Sequence, residues 1–576
     1  MSISSRRLYR RTISRRRLVV AVLLFSSGIL AISAAAFAAS PALSNIYPAG
    51  GQRGTTVSIK LSGDFPWPVN IWAPGVEIVP GEEKGKIDVA IPADLQTDRI
   101  WLRVHDAEGA SSPAPFLIGG LPEVVETELN NAPENAQSLT QTEAVVNGVL
   151  QSGGDVDAFS LELAAGQTVA LSVDAHGKLG SPVDTVVQIA SPAGTVLAEN
   201  HDDVGFDSRL AYTATVSGPH VVRIFGFSST ANTTIAFQGE ASYIYRLTIT
   251  TGPFITHTLP SSASLDAPGD VEVFGWNIPA GTRLPVIPLG GERLAEFQEF
   301  DTLDDLRGTG DDRFGLAFAP NMTGSNRVRL SSIPSLPAIA KGTAENPLAL
   351  AIPQAVTGVI QDRTQRDVYR LPLKAGQPIV ISVESRSIDS LLDPPLLKLT
   401  DPAGNVAAEL AAGKPPLASI ITHAPAQDGD YLLTIRSRFR QGGERCYYRL
   451  TVRPEVSDFE LAATADSLVV THDKPTEFEV KIVRRAGPDG AVGPIKIEAV
   501  GLPDGVTAAA VVSEPTGDTA GTVKLSFITT GAAFSGPIRL IGTADQPRAI
   551  KRFVRTPPKL NTCFETFWLT AVAKPE

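Results

Sequence analysis

The stretch Asp157-Ala-Phe-Ser-Leu-Glu-Leu-Ala-Ala-Gly-Gln-Thr-Val-Ala-Leu-Ser-Val173 is matched, 210 residues further on, by Asp367-Val-Tyr-Arg-Leu-Pro-Leu-Lys-Ala-Gly-Gln-Pro-Ile-Val-Ile-Ser-Val383. Each copy sets an Asp two residues before an aromatic, turns at Ala-Gly-Gln, and then alternates apolar and small side chains. The same offset relates Gly148 to Gly358 and Pro192-Ala-Gly to Pro402-Ala-Gly. Gly218-Pro-His-Val-Val-Arg-Ile answers Gly429-Asp-Tyr-Leu-Leu-Thr-Ile, and Tyr245-Arg-Leu-Thr answers Tyr448-Arg-Leu-Thr. Such self-similarity marks two copies of one structural unit. Val169, Leu171 and Val173 in the first copy, and Ile379, Ile381 and Val383 in the second, recur with period two. That period puts them on one buried face of a strand. Pro-Ala-Gly turns separate the strands.

Working outward, a chain of 576 residues is too long for one core and predicts three to five domains of roughly 100–150 residues. With 50 Gly and 44 Pro it suits many short strands and tight turns. No long 3.6-period stripe stands against that, so the expected fold class is all-β, with β-sandwiches in tandem. The copies span about 121–252 and 338–453. A smaller module is expected over 40–120, where Val57, Ile59 and Leu61 form a half-buried strand. Residues 253–337 look like a more divergent immunoglobulin-type module, interrupted by an acidic stretch from Asp301 to Asp312 that reads as a solvated loop. The tail, 456–576, alternates again in Phe478-Glu-Val-Lys-Ile-Val and Val523-Lys-Leu-Ser-Phe-Ile.

The N-terminus carries seven Arg and no acid within residues 1–38. An apolar run from Leu18 follows, and Ala36-Phe37-Ala38 offers a small-x-small cleavage site. That order is a secretory signal. The run also approaches the length of a spanning helix, so an uncleaved anchor is the alternative. Export to the periplasm, cell surface or medium is expected, with no membrane span once the signal is removed. Seven of the 50 basic residues lie in 1–38, against 61 acids in all, so residues 39–576 carry a net charge of −18. That balance disfavours nucleic acid as a partner and leaves carboxylates for divalent cations. Two cysteines, Cys446 and Cys563, admit either a disulfide between the last two modules or two buried thiols.

The two repeats resemble the bacterial pre-peptidase C-terminal domain, a jelly-roll sandwich. In the first copy the likeness is carried by Glu126-Thr-Glu-Leu-Asn-Asn, Gly148, Asp155-Val-Asp-Ala-Phe and Leu163-Ala-Ala-Gly-Gln. The segment from Pro41 through Gly63 resembles the opening of an immunoglobulin-like TIG domain, and Gly501-Leu-Pro-Asp-Gly a turn of bacterial immunoglobulin-like modules. Collagen-binding relatives of the pre-peptidase domain use a matching linker and Asp pair to hold calcium. The resemblance therefore implies one calcium site, from Glu126, Glu128, Asn130, Asn131, Asp155 and Asp157. Calcium takes six to eight hard oxygen ligands, and alternation on an extended segment would turn Glu126, Glu128 and Asn130 the same way. A solvated acidic linker is the competing reading. The second copy has Gln365 in place of Asp155 and lacks paired acids over Leu336–Gly342, so no site is expected there. His201-Asp202-Asp203 and Asp207 read as a second, solvated acidic cluster.

Motifs for catalysis are missing: there is no His-Glu-x-x-His, no Gly-x-Ser-x-Gly and no phosphate loop. The expectation is a non-catalytic binding, adhesion or scaffold protein that recognises an extracellular polysaccharide or protein. The alternatives are a secreted hydrolase, such as a peptidase, with its centre in 253–337, and a structural cell-surface spacer.

Overall fold

The structure is a computed structural model; it describes residues 39–230, 235–289, 299–301, 313–324, 327–410, 418–472, 474–530, 533–560 and 562–573. The signal segment 1–38 and the acidic residues 302–312 lie outside them. Regular structure is almost all strand, and the one α-helix among the described residues is the single turn His176–Leu179.

The two repeats fold into sandwiches of the same strand order. In the first, one sheet runs Gln137–Ser138, Asp157–Leu163, Gly218–Ser228, Val183–Ala190, Val196–Asn200. The facing sheet runs Arg209–Thr213, Thr168–Asp174, Ile244–Thr250, Glu143–Val149, Glu123–Val125. The second repeats this with Leu348–Ala349, Arg366–Leu373, Gly429–Arg436, Leu396–Thr400, Val406–Glu409 facing Ser419–His423, Ile379–Glu384, Tyr447–Pro454, Gln354–Val359, Ser335–Ile339. The alternating residues do what their period requires. Val169, Leu171 and Val173 pack with Phe159, Val187 and Leu247 in one core; Ile379, Ile381 and Val383 pack with Tyr369, Leu399 and Leu450 in the other. Burying each such side chain contributes about 1.5–3 kcal/mol.

Residues 42–119 form two four-stranded sheets around Ile59, Leu61, Val89, Leu102 and Phe116. Between the repeats the chain makes one seven-stranded sheet instead of a facing pair. Phe254–Leu259 pairs with Asp270–Trp276, while its continuation Ser262–Ser264 pairs with Arg327–Ser331. The sheet thus curls onto a small core of Ile255, Val273, Val286, Val328 and Leu330. The tail is again two sheets, and Gly501 and Gly505 adopt the positive φ that its Gly-Leu-Pro-Asp-Gly turn needs.

Residues 39–576 form one compact unit, and its ends meet. Trp101 packs edge-on against Phe564 and Trp72 against Trp568, with ring centroids 5.1 and 5.2 Å apart. Arg99 donates to the Thr562 hydroxyl at 3.4 Å, and Arg103 reaches Asp466 at 3.4 Å. Backbone pairing of Glu299–Asp301 with Thr562–Phe564 ties the middle segment to the tail. The modules are consecutive in sequence but folded back on one another, unlike the extended string expected of a spacer. Cys446 and Cys563 are both buried and no disulfide joins them, so the disulfide reading is set aside.

Candidate metal centre

The linker Glu126–Asn131 lies across the end of the first sandwich. Its course is set by the parallel pairing of Glu123–Val125 with Val145–Asn147, extended by the bond from Glu126 N–H to Asn147 O. It ends where Ala158 N–H donates to the Asn130 carbonyl at 3.1 Å. Asp155 enters from the turn before the strand Asp157–Leu163, where its Oδ2 accepts from the Gln151 amide. Carboxylate oxygens of Glu128, Asp155 and Asp157 come within 4.8 Å of one another.

Glu126 sits beside this cluster. Its Oε1 accepts from Val149 N–H at 2.7 Å, and its Oε2 lies 3.1 Å from the Tyr245 hydroxyl. The same hydroxyl is 2.7 Å from Asp157 Oδ2. Gly148 makes the approach feasible, because a Cβ there would fall 2.1 Å from Tyr245 Cζ. Asn131 is exposed and holds Asp155, its amide donating to Oδ1 at 3.0 Å. Asn130 is only 1% exposed, yet neither end of its side-chain amide has a partner, and Asp157 Oδ1 lacks one too.

The electrostatics are one-sided. Among the described residues, no Lys or Arg pairs with any of these four carboxylates. Burial, together with the neighbouring carboxylates, raises Asp157 and Glu126 well above the ordinary range, and Glu128 is raised for the same reasons. Tyr47, from the first module, is pushed up by burial and by Glu126 and Asp157. Buried polar atoms are nearly always satisfied. A divalent cation would neutralise this cluster and give Asn130 and Asp157 oxygens their partner, so the residues present fit calcium.

The second sandwich solves the same position with a single carboxylate. Tyr448 donates to Asp367 Oδ2 at 2.6 Å, and Gln365 Nε2 donates to Oδ1 at 2.6 Å. Gln365 Oε1 accepts from Gln361 N–H, as Asp155 does from Gln151. Ala340 replaces Glu126 at the matching backbone bond, and the Tyr369 hydroxyl fills the space by meeting Ala340 O and Tyr448. In that copy both oxygens of Asp367 are paired.

The other acidic cluster differs from its sequence reading. Asp203 and Asp207 are buried, at 7% and 5% exposure. Asp203 receives both guanidinium nitrogens of Arg445 at 2.7 Å, and Asp207 caps the backbone N–H groups of His176 and Gly177. They were misread because their partners are distant in sequence or in the backbone. Asp202 and His201 stay exposed, beside the half-buried Asp184. Tyr245 and Gly148 stood in the sequence as repeat markers only; the signal for their role was that Gly148 and Tyr245 recur together as Gly358 and Tyr448.

No protein-family model matches the chain, and no curated protein sequence matches it. Solved structures similar to parts of it include the pre-peptidase C-terminal domain of a collagenase from Bacillus anthracis, at 18% identity over 19% of this chain and 95% of that one, TM-score 0.15. Fibronectin(III)-like modules of CbhA from Clostridium thermocellum align at 11% identity over 35% and 89%, TM-score 0.13. The N-terminal four Ig domains of Dscam1 align at 10% over 92% and 99%, TM-score 0.18. At these scores the class rests on the strand order of the chain itself: a multi-module all-β protein built around two copies of one ten-stranded sandwich.

Proposed function

We propose that this chain is an exported, non-catalytic binding or scaffold protein in which one calcium ion clamps the linker before the first sandwich to its edge. The observation that carries the calcium reading is the buried Asn130 amide and Asp157 Oδ1, both without partners, beside Glu128 and Asp155. Four carboxylates with no basic partner favour a cation, and oxygen-only donors favour a hard one. Calcium tolerates irregular, many-oxygen sites better than magnesium, which demands near-octahedral geometry. The partner is an extracellular polysaccharide or protein. A scaffold role fits a body whose modules hold one another by aromatic and ionic contacts.

The non-catalytic part is supported by the fate of the one serine–histidine contact that spans modules among the described residues. His105 Nδ1 lies 3.0 Å from Ser535 Oγ, but that oxygen also accepts from Trp568 Nε1 at 2.9 Å. The adjacent Asp106 carboxylate is spent on the amides of Glu108 and Gly109, so no acid orients the ring. This is packing between the first module and the tail.

Equilibrium dialysis of the chain 39–576 against radioactive calcium tests the proposal. One ion per chain is expected, with binding lost in Glu128→Gln/Asp157→Asn. No bound calcium, or binding unchanged in that variant, would refute the site.

A further inference from the structure

A cavity of about 650 Å3 opens where all five modules meet, walled by Asp98 of the first, Phe206 and Arg209 of the first sandwich, His257 of the middle segment, Tyr447 of the second sandwich and Thr562 of the tail. Its size falls within the roughly 300–1,000 Å3 of small-molecule sites, and junctions between modules are where such sites concentrate. It exists only because the chain folds back on itself.

The lining is charged but internally balanced, with six basic and six acidic side chains. Arg327 pairs with Asp98 at 2.7 Å, Lys178 with Asp174 at 2.9 Å, and Asp203 takes Arg445. An apolar ligand would bury these ions without compensation, and a strongly charged one would meet no net opposite charge. Among the described wall residues, Arg209, Ser387 and His257 each keep a side-chain atom with no hydrogen-bond partner. Arg209 Nη1 is a donor with no partner. His257 is stacked between Phe274 and Tyr447, centroids 5.1 and 5.0 Å away. Burial and the nearby Arg445 and Arg209 push its pKa down to about 4, so it is neutral. The Thr256 hydroxyl donates to Phe274 O, so His257 Nδ1–H must donate to Thr256 Oγ1. Nε2 is then a lone-pair acceptor, and it has no partner. At the rim Phe206 is 38% exposed, braced edge-on by His176 at 4.9 Å on a loop fixed by Asp203 and Asp207.

Balanced charge, a spare donor, a spare acceptor and an exposed phenyl face together suit a ligand that is uncharged, rich in hydroxyls and able to present C–H groups to a ring. We propose that this cavity binds a short segment of a neutral carbohydrate. The inference rests on the binding role proposed above and narrows its partner from polysaccharide or protein to a neutral glycan.

The test is calorimetric titration of the whole chain 39–576, in calcium, with maltotriose, cellotriose, xylotriose and chitotriose, and with tri-galacturonate as the anionic comparison. Phe206→Ala removes an exposed ring, and His257→Phe keeps the aromatic stack while deleting the acceptor. Saturable one-to-one binding of a neutral trisaccharide, weakened about tenfold or more by each variant, with melting of the ligand-free variants unchanged, is the expected result. No binding by any neutral trisaccharide, binding indifferent to both variants, or preference for tri-galacturonate would overturn it. If the trisaccharides fail while calcium still binds and the chain still captures a protein partner, the cavity inference falls alone. If calcium binding and partner capture fail as well, the underlying role falls with it.

Discussion

The Tyr245 hydroxyl lies 2.7 Å from Asp157 Oδ2, and its twin in the second sandwich, Tyr448, lies 2.6 Å from Asp367 Oδ2. The two pairs are set on equivalent strands and differ in what completes the aspartate. Gln365 satisfies the second oxygen of Asp367. In the first sandwich that place belongs to Asp155, whose side chain has no amide N–H to offer Asp157. One fold therefore holds a closed version of this position, with one fully paired carboxylate, and an open version crowded with carboxylates.

Because burial raises Asp157 and Glu126, the calcium-free folded chain keeps a proton that the unfolded chain releases. That contribution to stability is complete below the ordinary carboxylate pKa of ~4 and is lost as pH rises toward the higher folded values. In EDTA the melting temperature is expected to fall as pH rises above ~5, and the increment given by calcium to widen. Asp157→Asn should flatten the slope. A calcium increment independent of pH would argue against the protonated pair.

Gly148→Ala would thrust a methyl group to 2.1 Å from Tyr245 Cζ and 2.4 Å from Glu126 Oε2. Gly358→Ala does the same to Tyr448, at 2.3 Å. Each should cost about 1–3 kcal/mol through overpacking, measurable by urea unfolding. Only Gly148→Ala should also weaken calcium binding. Equal effects on calcium would separate Tyr245 from the site.

Arg445 joins the sandwiches through its two bonds to Asp203, a residue 7% exposed. Arg445→Ala leaves that carboxylate with Arg209 at 3.8 Å as its remaining ion pair. Removing one partner of a largely buried pair costs about 3–5 kcal/mol. Because the pair spans the modules, calorimetry should show the single transition broaden or split. An unchanged melt would make the contact incidental.

The repeats were legible because period-two alternation and turn chemistry are local, and because copying doubled every signal. Glu128, Asp155 and Asp157 were legible as oxygen donors through the resemblance of that linker and Asp pair, not through copying, because the second copy keeps only the counterpart of Asp157. The packing of Trp101 on Phe564 was not, since residues so far apart share no local pattern. Nor did sequence reveal that Asp203 and Asp207 are buried: their charges are met by Arg445 and by the backbone of residues 176–177, which only the folded chain brings near. Between the repeats, the sequence marked out a divergent module but could not say that its strands curl into one sheet, because closure depends on which edges find each other.

The most direct test of the calcium account converts the open position into the closed one. Asp155→Gln gives the first sandwich the residue its twin already uses, able to accept from Gln151 N–H and donate to Asp157 Oδ1. Thermal melts of the chain 39–576 and of this variant would be compared in calcium and in excess EDTA. The account predicts a wild-type melting temperature that rises in calcium, and a variant that melts alike in both and above wild type in EDTA. A wild-type melt indifferent to calcium, or a variant that still responds to it, would contradict the account.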